Sequence, residues 1–288
     1  MAGAQPFDPL ASTYDATFSH TAIGRYLRER VWVRLDRHFQ PGDHVLELGC
    51  GTGEDALHLA GRGVHVLATD ASEAMLEVTR AKAQGNPLVT VARLDLRALT
   101  PSQIESEAEN QFAGFAKSPL HQMERGFRGE VSAGFDGAFA NFGPVNVLAD
   151  WQPLAGWLAA CVRPGGIVGL GVMGPLCLWE MAWHSLHGDF RTAFRRLNGR
   201  ATFQADELSE PMMIYYPAIS RLERDFAPHF RRVHLEPLGL FLPPSDVCGA
   251  VEKRPRLLRL LTALEDRCAR FALLAGCADH YWIEFERI

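Results

Sequence analysis

No stretch of the 288 residues is apolar for the length that a bilayer span needs, and no basic segment leads into an apolar one at the N-terminus. A membrane span and a secretory leader are therefore not expected, and a soluble cytoplasmic protein is. The six cysteines contain no C-x-x-C pair and no zinc spacing. Reduced, mostly buried thiols fit that pattern better than a disulfide framework. Positive charge is not in excess either. A net charge of −5 argues against the basic face of a general phosphate-backbone binder, so no nucleic-acid partner is expected. Two local basic groups, Arg191/Arg195/Arg196 and Lys253/Arg254/Arg256/Arg259, have the helical spacing of solvated faces. Internal repeats are absent.

What is present suits one large α/β domain with an elaboration, with 47% apolar residues to fill its core. The most informative stretch is His44-Val45-Leu46-Glu47-Leu48-Gly49-Cys50-Gly51-Thr52-Gly53-Glu54. A short apolar run ends in an acid, breaks into glycines at alternate positions, and passes at once into a helical pattern. That is a buried strand, a tight turn and a helix start, with bare glycines that let a ligand lie on the main chain. Asp70 closes a second strand over 64–69, at a distance downstream where a carboxylate meets a ribose diol in doubly wound sheets.

Around this motif the chain alternates strands and helices. A helix over about 20–39 repeats Ile23, Leu27, Val31 and Leu35 at helical spacing. Ser72 is placed to cap the next helix, and a third strand over 88–94 ends at Asp95-Leu96. Residues 100–103 read as a capping box. The segment 100–134 is longer than a crossover requires and is expected to be an insertion, either a lid or a disordered loop. A fourth strand, Phe135-Asp136-Gly137-Ala138-Phe139-Ala140-Asn141, runs into Phe142-Gly143-Pro144. A helix over 153–161 then leads through the turn Arg163-Pro164-Gly165-Gly166 into a fifth strand over 167–172. Residues 176–198 read as helical and 200–222 as short strand-like runs. Segments 230–235 and 281–288 read as the last strands, with a helix over 255–274 between them.

Taken in order, ELGCGTG, Asp70, Asp95-Leu96, FDGAFANFG and RPGG resemble the successive motifs of class I S-adenosylmethionine-dependent methyltransferases. The loop is E-x-G-x-G-x-G and differs from the dinucleotide fingerprint G-x-G-x-x-G. The resemblance covers residues 10–175 well and the closing strands loosely. It implies an α/β fold with a doubly wound, mostly parallel seven-stranded sheet, an N-terminal helical cover and a cap insertion after the fifth strand. The organisation expected is a cover over 1–40, a cofactor-binding core over 41–174, a substrate cap over 175–229 and the completing strands and helix over 230–288.

The resemblance also implies S-adenosylmethionine as cofactor and S-adenosylhomocysteine as product. Gly49, Gly51 and Gly53 would admit the cofactor to the backbone, and Glu47 would meet its ammonium. Asp70 would accept from the ribose hydroxyls, Met75 would pack near the adenine, and Asp95 with the Leu96 amide would take the adenine edge. Asn141 and Phe142 would border the sulfonium. Cys50, Ala71 and Gly143 belong to the same set, and Tyr14 and Arg25 are expected from the N-terminal cover, where an arginine can pair with a carboxylate.

In-line methyl transfer asks the protein mainly to position the acceptor, and a hydroxyl or protonated amine acceptor adds the need for a base. His184 and His187, three apart on one helical face, are the catalytic candidates. Trp179, Trp183, Tyr215 and Tyr216 are the candidate substrate walls. The bland alternative for the histidines is packing plus one hydrogen bond. No nearby carboxylate completes a metal site with them, so no metal is expected. His229 and His280 are expected to be structural, with the strand-end position of His280 keeping it a lesser candidate. The string after the fourth strand lacks the [DN]-P-P-[YFW] of nucleic-acid base methyltransferases. The expected acceptor is a small, partly apolar molecule, methylated at oxygen or nitrogen. The alternatives are a protein or RNA acceptor, or a silent cofactor-binding protein.

Overall fold

The computed structural model describes residues 5–99, 134–205, 210–244 and 247–288. The capping box at 100–103, and all of the expected 100–134 insertion except Gly134, lie outside the described residues.

Helix α1 (Ala22–His38) starts where Thr21 Oγ1 accepts the Gly24 N–H at 3.0 Å. It buries Ile23, Leu27, Val31 and Leu35, the stripe read from the sequence. Strand β1 (His44–Leu48) follows, with Val45, Leu46 and Leu48 fully buried, as in a parallel strand covered on both faces. The glycine loop leads into α2 (Glu54–Gly61), β2 (His65–Asp70) and α3 (Glu73–Lys82). Ser72 caps α3, its Oγ accepting the Met75 N–H at 3.2 Å.

Next come β3 (Val89–Arg93), β4 (Phe135–Ala140), α4 (Gln152–Cys161) and β5 (Val162–Met173). The RPGG segment does not separate helix from strand as expected. It lies inside β5, where pairing with β4 jumps from Phe135↔Val162 to Gly137↔Ile167. Extra residues on one strand are accommodated as an irregularity while pairing resumes beyond it. After β5 come α5 (Leu178–Leu186), a hairpin of β6 (Arg200–Phe203) and β7 (Met212–Tyr215), then α6 (Ile219–Phe226), β8 (Phe230–Leu238), α7 (Pro255–Cys268) and β9 (His280–Arg287). Helix α7 stops at Cys268, short of the expected end, and a 3₁₀ segment Ala272–Cys277 completes the connection.

The seven-stranded sheet has the order β3-β2-β1-β4-β5-β9-β8. Strands β1 to β5 pair in parallel, and β9 runs antiparallel between β5 and β8. On one face α1 packs Leu27, Val31 and Leu35 against Val45, Val66, Phe139 and Trp282. On the other, Leu154 and Leu158 of α4 and Leu222 and Phe226 of α6 meet Leu46, Leu48 and Leu170. Because β1 lies between β2 and β4, the connections diverge there, leaving a crevice outside the carboxyl ends of β1 and β4. No helix among the described residues is long and apolar enough to cross a membrane.

One basic group departs from the expected solvated face. Arg196 is buried, and it and Arg195 both pair with Glu180, itself buried on α5. A buried carboxylate demands such partners.

Candidate functional site

The crevice at the switch point holds a cavity of about 160 Å³. Gly49, Gly51, Asp70, Ala71, Met75, Asp95, Leu96, Asn141, Phe142, Gly143 and Tyr14 all line it, so most of the expected cofactor set converges on one space. All but Met75 on α3 and Tyr14 in the N-terminal segment come from a strand end or the turn beyond it.

The glycines do different work. All three have positive φ: +69° at Gly49, +53° at Gly51 and +82° at Gly53. A Cβ on Gly53 would stand 2.6 Å from Thr79 Cγ2, so this glycine packs the loop on α3 and does not line the cavity. At Gly51 the nearest atom to such a Cβ is Tyr14 Cε1 at 4.0 Å, so its bare face is open to the cavity.

Asp70 locks this geometry. Its Oδ2 accepts the Gly51 N–H at 2.9 Å and its Oδ1 the Ser72 N–H at 2.9 Å. Burial raises its carboxyl above the ordinary range, and the amides of Ser72 and Gly51 offset part of that. Each oxygen keeps a further lone pair for a ligand. Asp95 behaves differently. Burial would raise it, but the Arg97 guanidinium, with Nε 2.9 Å from Oδ1 and Nη2 2.7 Å from Oδ2, holds it below the ordinary range.

Glu47 is buried two residues before Gly49 and does not line the cavity. Burial pushes its carboxyl well up, Asp55 adds to this, and Arg28 opposes it. Burial likewise raises Cys50, leaving an inert thiol beside Thr79.

Arg25 is exposed on α1 and does not reach the cavity. The buried arginine is Arg28, on the inward face of the same helix, and sequence reasoning missed it. Its Nη1 lies 2.7 Å from Asp55 Oδ2, and its guanidinium stands 5.0 Å from the Phe142 ring centre. Asp55 also accepts from Trp32 Nε1 at 2.6 Å and from Asn141 Nδ2 at 2.9 Å. Asp55 thus ties the cover helix, the glycine-loop helix and the end of β4 together. Phe142 is the one non-glycine residue with positive φ among the described residues, at +57°. Such backbone collects at functional sites where the surroundings enforce it.

The expected catalytic and substrate residues do not gather here. His187 is exposed and its Nδ1 lies 2.7 Å from the carbonyl of Trp183 in its own helix turn. His184 faces Asp189, 4.0 Å away. Trp183 rests on His187, and Trp179 packs against the core on the α1 side of the sheet. None of these four lines the cavity. On β7 the alternation of a strand selects Met212 and Ile214 as the wall; Tyr215 faces a neighbouring groove and Tyr216 stacks under Arg196. Gln5, Pro6 and Phe7 also line the cavity, as do Arg97 and Met173. The continuous apolar run 212–216 is a signal for that wall, but it leaves the phase open.

Among the described residues one acid and histidine group has ligand spacing, Asp15, His20 and Glu54. Lys82 Nζ lies 2.5 Å from Asp15 and 2.6 Å from Glu54, so a cation already serves these carboxylates.

Comparison with known proteins accords with this geometry. Residues 45–112 match the family model described as a methyltransferase domain. The demethylmenaquinone methyltransferase of Symbiobacterium thermophilum is 36% identical over 94 residues, which cover 31% of this chain and 37% of that protein. A 23S rRNA (uracil(1939)-C(5))-methyltransferase, RlmD of Ralstonia nicotianae, is 39% identical over 83 residues, covering 29% of this chain and 17% of that one. These matches therefore span well under half the length of the curated relatives. A solved structure of a putative S-adenosylmethionine-dependent methyltransferase from Listeria monocytogenes superposes with a TM-score of 0.54 at 14% identity, over 89% of this chain and 96% of that one. That likeness is one of fold. With the glycine loop, the acid ending β2 and this sheet order together, residues 45–112 match a methyltransferase domain, and the chain shares the fold of S-adenosylmethionine-dependent methyltransferases.

Proposed function

We propose that this protein transfers a methyl group from S-adenosylmethionine to a small, partly apolar acceptor at oxygen or nitrogen, without a metal. The observation that carries the reading is the cavity at the ends of β1 and β4, where Gly51, Asp70, Asp95 and Asn141 meet. The residues fit the cofactor. Asn141 Oδ1 is buried in the cavity wall, and neither it nor Glu47 Oε2 has a hydrogen-bond partner among the described residues. The Asn141 oxygen is thus an acceptor in the cavity wall awaiting a donor such as an ammonium, whereas Glu47 lies behind the loop. Gly51 would take the cofactor against its bare backbone, Asp70 the ribose, and Asp95 with Leu96 the adenine edge. When bound, the cofactor supplies a methyl on sulfonium, a good leaving group.

What remains for the protein is positioning. Met173, Met212, Ile214 and Val147 give the cavity an apolar side, and the segment Gln5 to Phe7 covers it, with Phe7 stacked on Phe203 at 5.1 Å. A covered apolar wall suits a small acceptor better than a polynucleotide, whose phosphates need exposed basic residues. The demethylmenaquinone methyltransferase relative supports the same class of acceptor.

The test is release of S-adenosylhomocysteine from the purified protein, S-adenosylmethionine and a panel of small phenols, quinols and amines, with total RNA in parallel. Turnover with a small acceptor and none with RNA is the expected result. Turnover with RNA alone would overturn the acceptor class.

A further inference from the structure

His280 opens β9, the antiparallel strand, so it stands at the same end of the sheet as the carboxyl ends of β4 and β5. It pairs with Met173, the last residue of β5, which lines the cavity. Its ring meets Phe142 edge-on, with centroids 5.9 Å apart and planes at 90°. Its Nε2 lies 3.7 Å from the point where a Cβ on Gly143 would stand. Gly143 and Phe142 line the main cavity, so this nitrogen lies directly behind that wall at the end of β4, while His280 itself borders a smaller cavity.

The other ring nitrogen is held. His280 Nδ1 lies 3.0 Å from Asp279 Oδ2. Asp279 is fixed in turn, its Oδ1 accepting from Arg196 Nη2 at 2.6 Å and its carbonyl from Arg196 Nη1 at 3.0 Å. Arg196 also donates to Glu180 Oε2 at 2.9 Å, as Arg195 does at 2.8 Å. Two carboxylates therefore face two guanidiniums. A carboxylate on Nδ1–H selects the tautomer whose Nε2 carries a lone pair. Among the described residues nothing donates to or accepts from that Nε2. A second, smaller cavity of about 40 Å³, bordered by His280, Phe18, Leu27, Phe142 and Pro244, adjoins it with mostly apolar walls.

We propose that His280 is the general base of this methyltransferase, that Asp279 is its positioning residue, and that the acceptor is an apolar molecule bearing an ionisable hydroxyl. This rests on the reading of the cavity given above. As the oxygen lone pair forms the new O–CH₃ bond, the hydroxyl proton passes to His280 Nε2. The electron pair of the broken S–CH₃ bond stays on sulfur. The imidazolium then returns its proton to water. The groups that set its protonation are Asp279 on its own strand, Arg196 and Glu180 behind it, Arg28 across the Phe142 ring, and Cys248 and Thr21 on the rim of the small cavity.

Wild type, His280→Gln and Asp279→Asn are compared, with folding checked by circular dichroism. Histidine ¹⁵N NMR of the wild type, with no ligand added, should show Nδ1 protonated and Nε2 bare; a proton on Nε2 would overturn the proposal. Turnover is read with phenols of graded acidity, from 4-methylphenol to 4-nitrophenol. In His280→Gln, kcat for 4-methylphenol should fall about a hundredfold or more, and the acid limb of its pH profile should vanish. The loss should shrink for 4-nitrophenol, which is already ionised. Asp279→Asn should lower kcat in the same acceptor-dependent way and leave KM nearly unchanged. An equal loss for every phenol, or wild-type rates in His280→Gln, would assign His280 to packing. Wild type that turns over no phenol would overturn the hydroxyl acceptor. Calorimetry with S-adenosylhomocysteine separates the two readings: if wild type does not bind it, the cofactor site itself fails, whereas binding retained in all three proteins confines any failure to His280.

Discussion

The Gly51 amide donates to Asp70 Oδ2 at 2.9 Å, so the acid that closes β2 also shapes the loop that follows β1. The second oxygen does the same for Ser72, at the start of α3. Asp70 is therefore a structural residue as well as the proposed ligand for the ribose. In Asp70→Ala both amides lose their acceptor, and unfolding free energy should fall by about 1–3 kcal/mol. Asp70→Asn retains one carbonyl oxygen and should lose roughly half as much. Urea denaturation of the three proteins measures this.

The neighbouring glycines should separate stability from binding. Gly51→Ala pays the left-handed backbone cost of about 1–2 kcal/mol and places a methyl toward the open cavity, so its main effect should be on cofactor affinity. Gly53→Ala pays the same cost and also drives its Cβ to 2.6 Å from Thr79 Cγ2. It should be the less stable of the two by thermal melting, and overpacking of that kind costs about 1–3 kcal/mol more.

Asp55 joins Arg28, Trp32 and Asn141 in the interior. Removing it strands a buried guanidinium, so Asp55→Ala should destabilise the fold by about 3–5 kcal/mol. Replacing both partners, as in Asp55→Ala with Arg28→Met, should recover a large part of that loss. A double-mutant cycle in urea checks the coupling.

Glu284 gives the fold an acid limit. Burial alone would raise its carboxyl, but hydrogen bonds from His38, Arg34 and Trp282 bring it down to about 2 from an ordinary 4.5. A carboxyl depressed in the folded state stabilises fully above its unfolded value. That contribution is lost as pH falls from about 4.5 to about 2, amounting to about 3 kcal/mol. Unfolding free energy should decline across this window in the wild type. In Glu284→Gln that part of the decline should be missing.

The sheet and much of the cavity lining were legible because their signals are local. A strand end, a glycine turn and a capped helix are adjacent in sequence, and Gly49, Gly51, Asp70, Asp95 and Asn141 each sit at such a junction. The rest depends on phase and on distant pairing. Arg25 and Arg28 lie three apart on α1, and only packing decides which one faces inward. Tyr215 and Ile214 differ by one strand position, hence by a whole face. His184 and His187 looked like a pair because both lie on α5 or its end, yet His187 meets the Trp183 carbonyl and His184 faces Asp189 beyond the helix. His280 owes its place to β9 entering between β5 and β8, a long-range pairing that no local pattern reveals.

The central claim is that the cavity at the ends of β1 and β4 takes S-adenosylmethionine and its product. Titration calorimetry with S-adenosylhomocysteine tests it most directly, using wild type and Asp70→Asn, with Asp70→Ala added where it remains folded. The account predicts one site per chain, with affinity weakened by about 1–3 kcal/mol in the alanine variant as the ribose hydroxyls lose their acceptor. Absence of heat in the folded wild type, or equal affinity in wild type and variants, would contradict it.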